Sequence, residues 1–266
     1  MYLYLTQDLY SYINEEWIPI DADSNWYGEA DGSEIFNFLG NEASGKFSHA
    51  EGKYTKAIGD YSHAEGNSSK AIGDTSHAEG SETQATAISA HAEGWKTEAT
   101  NNCAHAEGAE TKAYGNSSHA EGSNTLANNA CSHTEGYFTK ALNDYAHAEG
   151  SHTEASGKYS HAEGLKTEAI GHGSHAEGGT TKSIGVFSHS GGIEAVAKGY
   201  YSFAHGKNVL ATGEGALAIG DGMCVSKILK ESKLLPEEAQ DLSALQLTVT
   251  SVNKNKLTLA SSLEVV

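Results

Sequence analysis

Histidine and glutamate recur in this chain as His-x-Glu pairs: His49 with Glu51, His63 with Glu65, His77 with Glu79, His91 with Glu93, His105 with Glu107, His119 with Glu121, His133 with Glu135, His147 with Glu149, His161 with Glu163 and His175 with Glu177. An imidazole beside a carboxylate suits three kinds of chemistry. It can act as a general acid–base pair, it can ligate a metal or an anion, or it can form a polar network. Catalysis needs one asymmetric site in a cleft, and ten equivalent pairs do not resemble that. His-x-Glu on one strand face is compatible with ligation but is not a zinc motif. The chain has no Gly-x-Ser-x-Gly elbow, no His-Glu-x-x-His and no phosphate loop. The favoured reading is therefore architectural: each imidazole donates to a glutamate of a neighbouring coil or chain, and repetition supplies the partners. His152 and His172 fall outside the series and are expected to be exposed and incidental.

The elements that position these pairs are set by an internal repeat. Histidine returns every 14 residues from His49 to His189, and the same register continues as Phe203 and Leu217. The glycine three places on runs from Gly52 to Gly220, thirteen times without a gap. Each coil holds two extended stretches, Ser48-His49-Ala50-Glu51-Gly52 and Thr55-Lys56-Ala57-Ile58-Gly59 in the first, separated by turn formers. Two short strands and two tight turns use up 14 residues, whereas a helical repeat needs over about 30. The fold class expected is all-β: a parallel β-solenoid, or β-roll, of about thirteen coils at ~4.8 Å each. Strand parity puts Ser48, Ala50 and Gly52, and Thr55, Ala57 and Gly59, on the inner faces. The opposite choice would bury Lys56, Glu98, Lys112 and Glu168, which is expensive. The recurring threonines thus point inward, against an ice-binding array. His and Glu share the outer face of the first strand.

Three segments follow. Residues 1–40 are rich in aromatics, from Tyr2 and Tyr4 to Phe36 and Phe38, and suit a cap or attachment region that covers the open end of the roll. Residues 41–220 are the roll. Residues 221–266 suit a short helix starting at Pro236-Glu237-Glu238-Ala239, then a hairpin through Asn253-Lys254-Asn255-Lys256. The terminal Val265-Val266 reads as a strand awaiting partners. On the ladder face, Phe203, Leu217 and Ile219 replace His and Glu near the C-terminal end. They are expected to form an apolar clamp between chains.

The net charge of −18 at pH 7 argues against nucleic acid and against an anionic membrane surface. No segment approaches the ~20 apolar residues of a membrane helix, and Met1 to Ile13 lacks the pattern of a secretory signal. Cys103 and Cys131 sit two coils apart, about 9–10 Å and too far to bridge, so the three cysteines are expected to be free thiols.

The coil Gly215-Ala216-Leu217-Ala218-Ile219-Gly220, with Ala211-Thr212-Gly213 before it, resembles the head repeat of trimeric autotransporter adhesins of the YadA-like type. The His-Ala-Glu-Gly version also resembles repeats of phage tail-fibre and appendage proteins. The resemblance spans roughly residues 41–220 and implies a left-handed roll and a homotrimer. It departs where this chain carries His and Glu in place of two aliphatics, which would line a trimer axis with imidazoles and carboxylates. Such an axis could hold a metal or an anion; no other cofactor is expected. The function implied is a structural, non-enzymatic shaft or head of a tail fibre or adhesin-like appendage. It would sit on a virion or cell surface, beside other particle components, and bind a cell-surface glycan or protein. The alternatives are a polysaccharide-degrading fibre and a metal-loaded structural rod.

Overall fold

A computed structural model describes residues 40–225 in full, together with the strands Leu3–Leu5, Asp8–Ile13, Glu16–Ile20, Glu34–Ile35, Thr248–Asn253 and Lys256–Ala260. The chain divides into two compact units, Met1–Ala146 and His147–Val266. Both are all-β and both are parallel β-solenoids with 14-residue coils. The first unit carries seven long strands, from His49–Lys53 to His133–Tyr137, and the second carries six, from His147–Ser151 to Leu217–Asp221. Pairing is in strict register, His77 on His91 and Ala78 on Ala92 in one unit, His161 on His175 and Ala162 on Ala176 in the other. Every side chain therefore lies over its own equivalent in the next coil.

The inner columns are those expected from parity. Ala50, Ala57, Thr55 and Ser48 are buried, and so are their equivalents through both units. The core is a stack of alanines and small hydroxylated residues with almost no large side chain, Val209 being the largest fully buried one. Such a core buries little apolar area per coil, so the backbone hydrogen-bond ladder between coils carries much of the cohesion. Representative rungs run from His91 N–H to Ala104 C=O at 2.9 Å and from Lys112 N–H to Thr125 C=O at 2.9 Å.

Three local features differ from the sequence reading. The long strand is shifted by one residue, to His49–Lys53, and the short strand is only Lys56–Ala57. The glycine column from Gly52 to Gly220 does not face the interior. Gly94, for example, is half-buried at φ +112°, and a Cβ there would lie 2.1 Å from the Gly108 carbonyl oxygen. This column is glycine because of backbone geometry and coil-to-coil approach, not because of the narrow interior. Both turns of each coil contain a left-handed residue, and most of these are not glycine: Tyr54, Tyr61, Ser68, Thr75, Glu82 and onward at intervals of seven.

That interval exposes a finer repeat. Ser48-His49-Ala50-Glu51-Gly52-Lys53-Tyr54 and Thr55-Lys56-Ala57-Ile58-Gly59-Asp60-Tyr61 share one pattern: a hydroxylated inner residue, an inner alanine, a glycine and a left-handed residue. Serine opens the long half-coil because it closes the preceding turn. Ser48, Ser76 and Ser160 donate through Oγ to the carbonyls of Gly45, Gly73 and Gly157, each at 2.6 Å. The main-chain N–H of Ser76 also reaches the Gly73 carbonyl, at 3.2 Å.

Outside the coils, Leu3–Leu5, Asp8–Ile13 and Glu16–Ile20 form an antiparallel three-stranded sheet. Glu34–Ile35 pairs in parallel with the start of His49–Lys53. Cys224–Val225 pairs with Leu210–Ala211, so the ladder continues to residue 225. Thr248–Asn253 and Lys256–Ala260 form the hairpin, closing at Asn253 and Lys256. The expected helix at Pro236, the strand at Val265-Val266 and the N-terminal aromatic side chains lie outside the described residues. Among the described residues no helix is long and apolar enough to cross a membrane. Cys103, Cys131 and Cys224 are free and exposed.

Candidate functional site

The long strands place the ten His-x-Glu pairs on one outer face within each unit, because residues i and i+2 of a strand share a side. Parallel register then stacks the imidazoles. In the first unit their ring centroids are separated by 5.0, 4.8, 4.9, 4.6, 4.6 and 4.9 Å from His49 to His133. In the second unit His147, His161, His175 and His189 are spaced by 4.6, 4.8 and 4.8 Å, and Phe203 continues the column at 4.8 Å. The rings are about one-third exposed, yet at His63, His77, His91, His105, His119, His161, His175 and His189 the Nε2 atoms are buried and make no hydrogen bond of good geometry.

The carboxylates lie near the imidazoles. In the first unit each histidine approaches the glutamate of its own strand. The Nε2 to Oε2 distance is 3.5 Å from His49 to Glu51 and 3.5 Å from His63 to Glu65. It is 3.7 Å from His77 to Glu79, 3.6 Å from His91 to Glu93 and 3.7 Å from His105 to Glu107. It is 3.6 Å from His119 to Glu121 and 4.0 Å from His133 to Glu135. All are longer than a strong hydrogen bond between such groups. A glutamate two residues along the same strand points to the same side and is within reach; the register is the same in both units, so side-chain torsions decide whether it or the carboxylate of the preceding coil is met.

In the second unit His147 keeps its own Glu149, at 3.8 Å, and the contact then switches to the preceding coil. His161 lies 4.0 Å from Glu149, His175 lies 3.6 Å from Glu163, and His189 lies 3.4 Å from Glu177. The imidazoles of His77, His105, His161 and His189 are held below the ordinary histidine pKa, first by burial and then by the neighbouring imidazoles; the glutamates push the other way and do not prevail. A column of stacked, neutral rings beside a column of carboxylates is the result at these positions.

The clamp residues lie on the same face of the second unit. Phe203 is half-buried against His189, while Leu217 and Ile219 are 57% and 53% exposed. Two groups escaped the sequence reading. His205 stands where the repeat has glutamate, and Gly191, one coil before, leaves that position empty; both were visible as breaks in His-x-Glu. His172 is exposed, as expected, and its ring lies edge-on to Tyr159 at 5.4 Å and to Phe187 at 5.3 Å, a neighbourhood the sequence did not reveal.

Among the described residues, groupings with metal-ligand spacing occur in the second unit alone: His147 with Glu149 and His161, Glu163 with His175 and Glu177, and Glu177 with His189 and His205. The sequence had offered the ladder for ligation between chains. Within one chain, Glu51, Glu65, Glu79, Glu93, Glu107, Glu121 and Glu135 join no such grouping. Away from the ladder, Ser68, Lys70, Glu82, Gln84, Lys96 and Glu98 line a shallow polar depression. Its Glu98 is engaged by Lys112 at 3.6 Å and accepts from the Tyr114 hydroxyl, so it is not a free acid or base. No protein-family model and no curated protein matches the chain.

Proposed function

We propose that this chain is a non-enzymatic structural component of an attachment fibre, the shaft or head of a phage tail fibre or adhesin-like appendage. In this reading three copies of a left-handed roll lie side by side, as in the YadA-like head repeat that the coils resemble. The observation that carries it is the ladder face. It is periodic and only partly exposed, it holds buried Nε2 atoms without hydrogen-bond partners, as at His91 and His105, and in the second unit it ends in exposed Leu217 and Ile219. A sister chain with the same 14-residue period would match such a face coil for coil. Three copies would also multiply weak contacts with a glycan or protein on a cell surface through effective concentration. The terminal regions are better candidates than the repeated face for reading that receptor. Such a protein would work on a virion or outside the cell, without nucleic acid and without inserting in a membrane.

The test is mass in solution by light scattering at neutral pH. A trimer that dissociates when Leu217→Asp and Ile219→Asp are combined is the expected result. A wild-type monomer across the accessible concentration range would overturn the lateral-packing reading.

A further inference from the structure

The second unit contains one place where the ladder is broken in a way that brings two imidazoles and a carboxylate together. Position 191 is glycine in the slot that carries glutamate in the ten preceding coils, and position 205, one coil later, is histidine in that same slot. Glu177, one coil before Gly191, and His205, one coil after, therefore reach towards each other across an empty position. Their Cα atoms are separated by two coils, ~9–10 Å, yet Oε1 of Glu177 and Nδ1 of His205 approach to 3.9 Å. His189 completes the group, with Nε2 at 3.4 Å from the same Glu177 oxygen. A side chain at 191 would occlude this convergence: a Cβ there would lie 2.5 Å from His205 Nδ1 and 2.7 Å from Glu177 Oε1.

We infer that Glu177, His189 and His205 form a single-chain site for one divalent transition-metal cation of the zinc class. The donor set is two imidazole nitrogens and one carboxylate oxygen, all within 4.8 Å of one another. Zinc bonds of ~2.0–2.1 Å in a tetrahedron place donor atoms about 3.4 Å apart, so closing this site needs the donors to draw together by at most about 1.4 Å, a movement that side-chain torsions supply. His189 Nε2 is buried and makes no hydrogen bond outside the group that it would have to surrender. His205 is 48% exposed, which leaves an entry path and an open position for water. Imidazole and carboxylate together favour zinc-class ions over calcium or magnesium, which prefer all-oxygen shells. The other His and Glu groupings use ordinary ladder positions and lack the vacated slot. The site needs no second chain, so it stands or falls apart from the trimer.

Chelator-stripped full-length chain titrated with Zn²⁺ by calorimetry, and with Co²⁺ followed by visible absorption, tests the assignment. One tight equivalent per chain is expected, with the absorption of a low-symmetry cobalt site. His205→Ala, and Gly191→Glu, which restores the ladder residue, should each weaken that equivalent at least tenfold. Glu79→Gln, in a coil that belongs to no such grouping, should leave it unchanged, and circular dichroism checks that all variants fold. No tight equivalent in the wild type, a His205→Ala variant that binds as the wild type does, or an equal loss in Glu79→Gln would overturn the site.

Discussion

Replacing Thr97 by valine asks what holds the interior of the roll together. Thr97 is 0% exposed, and its Oγ1 has no hydrogen-bond partner; the same holds for the hydroxyls of Thr55, Thr83, Thr111, Thr125, Thr139, Thr153 and Thr167 in the same inner column. A buried hydroxyl left unpaired costs ~1–3 kcal/mol. Valine keeps the β-branched shape, so strand preference and packing are nearly unchanged. Removing the hydroxyl and adding a methyl in its place should therefore stabilise the first unit by about 1–2 kcal/mol. Thr181 supplies the internal control. It occupies the same column, but its Oγ1 donates to the Glu177 carbonyl at 3.0 Å. Thr181→Val breaks that bond and should destabilise by about 0.5–1.5 kcal/mol. The same substitution thus has opposite signs at two equivalent positions. Thr83→Val and Thr111→Val lie two coils apart, ~9–10 Å, so their effects should add. Urea unfolding followed by circular dichroism reads the shift in midpoint, and an unchanged slope checks that the comparison is fair. If Thr97→Val destabilises as much as Thr181→Val, the hydroxyl column is bonded in solution and the reasoning fails.

Two further outcomes follow from the coil geometry. Gly94→Ala combines φ +112° with a Cβ placed 2.1 Å from the Gly108 carbonyl, so it should cost at least ~3 kcal/mol; Gly179→Ala, where a Cβ meets nothing closer than 4.0 Å, should stay within ~0.5 kcal/mol. Equal melting temperatures for the two variants would refute the close stacking. Acid should weaken the fold through the imidazole column: the folded pKa values of His77, His105, His161 and His189 lie below the ordinary 6.5, so the unfolded chain binds protons first. Their contribution is complete above pH 6.5 and is lost as pH falls from there through the folded values. Thermal melts at about pH 7.5 and about pH 5.5 on wild type and His105→Gln should show a smaller acid loss in the variant. An identical loss would contradict the titration argument.

The 14-residue period made the solenoid and the identity of its inner columns readable from residues alone, because small residues at Ala50, Ala57 and Thr55 repeat with strand parity. The seven-residue half-coil was harder to see. Its outer positions differ between halves, His-x-Glu against Lys-x-Ile, and its left-handed sites hold Tyr54, Tyr61, Cys103 or Lys96 instead of a glycine that would mark them. The glycine column was recognised for the wrong reason: its cause is a backbone conformation and a carbonyl in the next coil, neither of which parity encodes. The ladder was legible as a pattern but not as chemistry. Whether a histidine meets the glutamate of its own strand, as His91 meets Glu93, or of the preceding coil, as His175 meets Glu163, depends on side-chain torsions, and the two units differ in this. Glu177, His189 and His205 were missed as a group because the reading followed the repeat, and they converge where the His-x-Glu pattern ends while the coils continue.

The two outer faces of the coil differ in a way that intrachain packing does not explain. On the short strands the outward position changes freely, from Lys56 and Lys70 to Gln84, Glu98, Leu126 and Val196. On the long strands it stays His and Glu for ten coils, although exposure is similar, 43% for the Lys56 side chain and 38% for each of His63 and Glu65. Ring stacking accounts for the histidines. It does not account for the glutamates, since in-register carboxylates one coil apart, such as Glu79 and Glu93 or Glu107 and Glu121, repel, and like charges side by side destabilise a sheet. Imidazoles held neutral, as at His77 and His105, cannot offset that repulsion. Water screens these half-exposed carboxylates in part, and in the proposed assembly donors from a neighbouring chain would offset the rest. A lone chain in solution should accordingly be less stable than the same coils laterally covered. Raising ionic strength, which screens exposed carboxylates, should stabilise a monomeric form more than an assembled one.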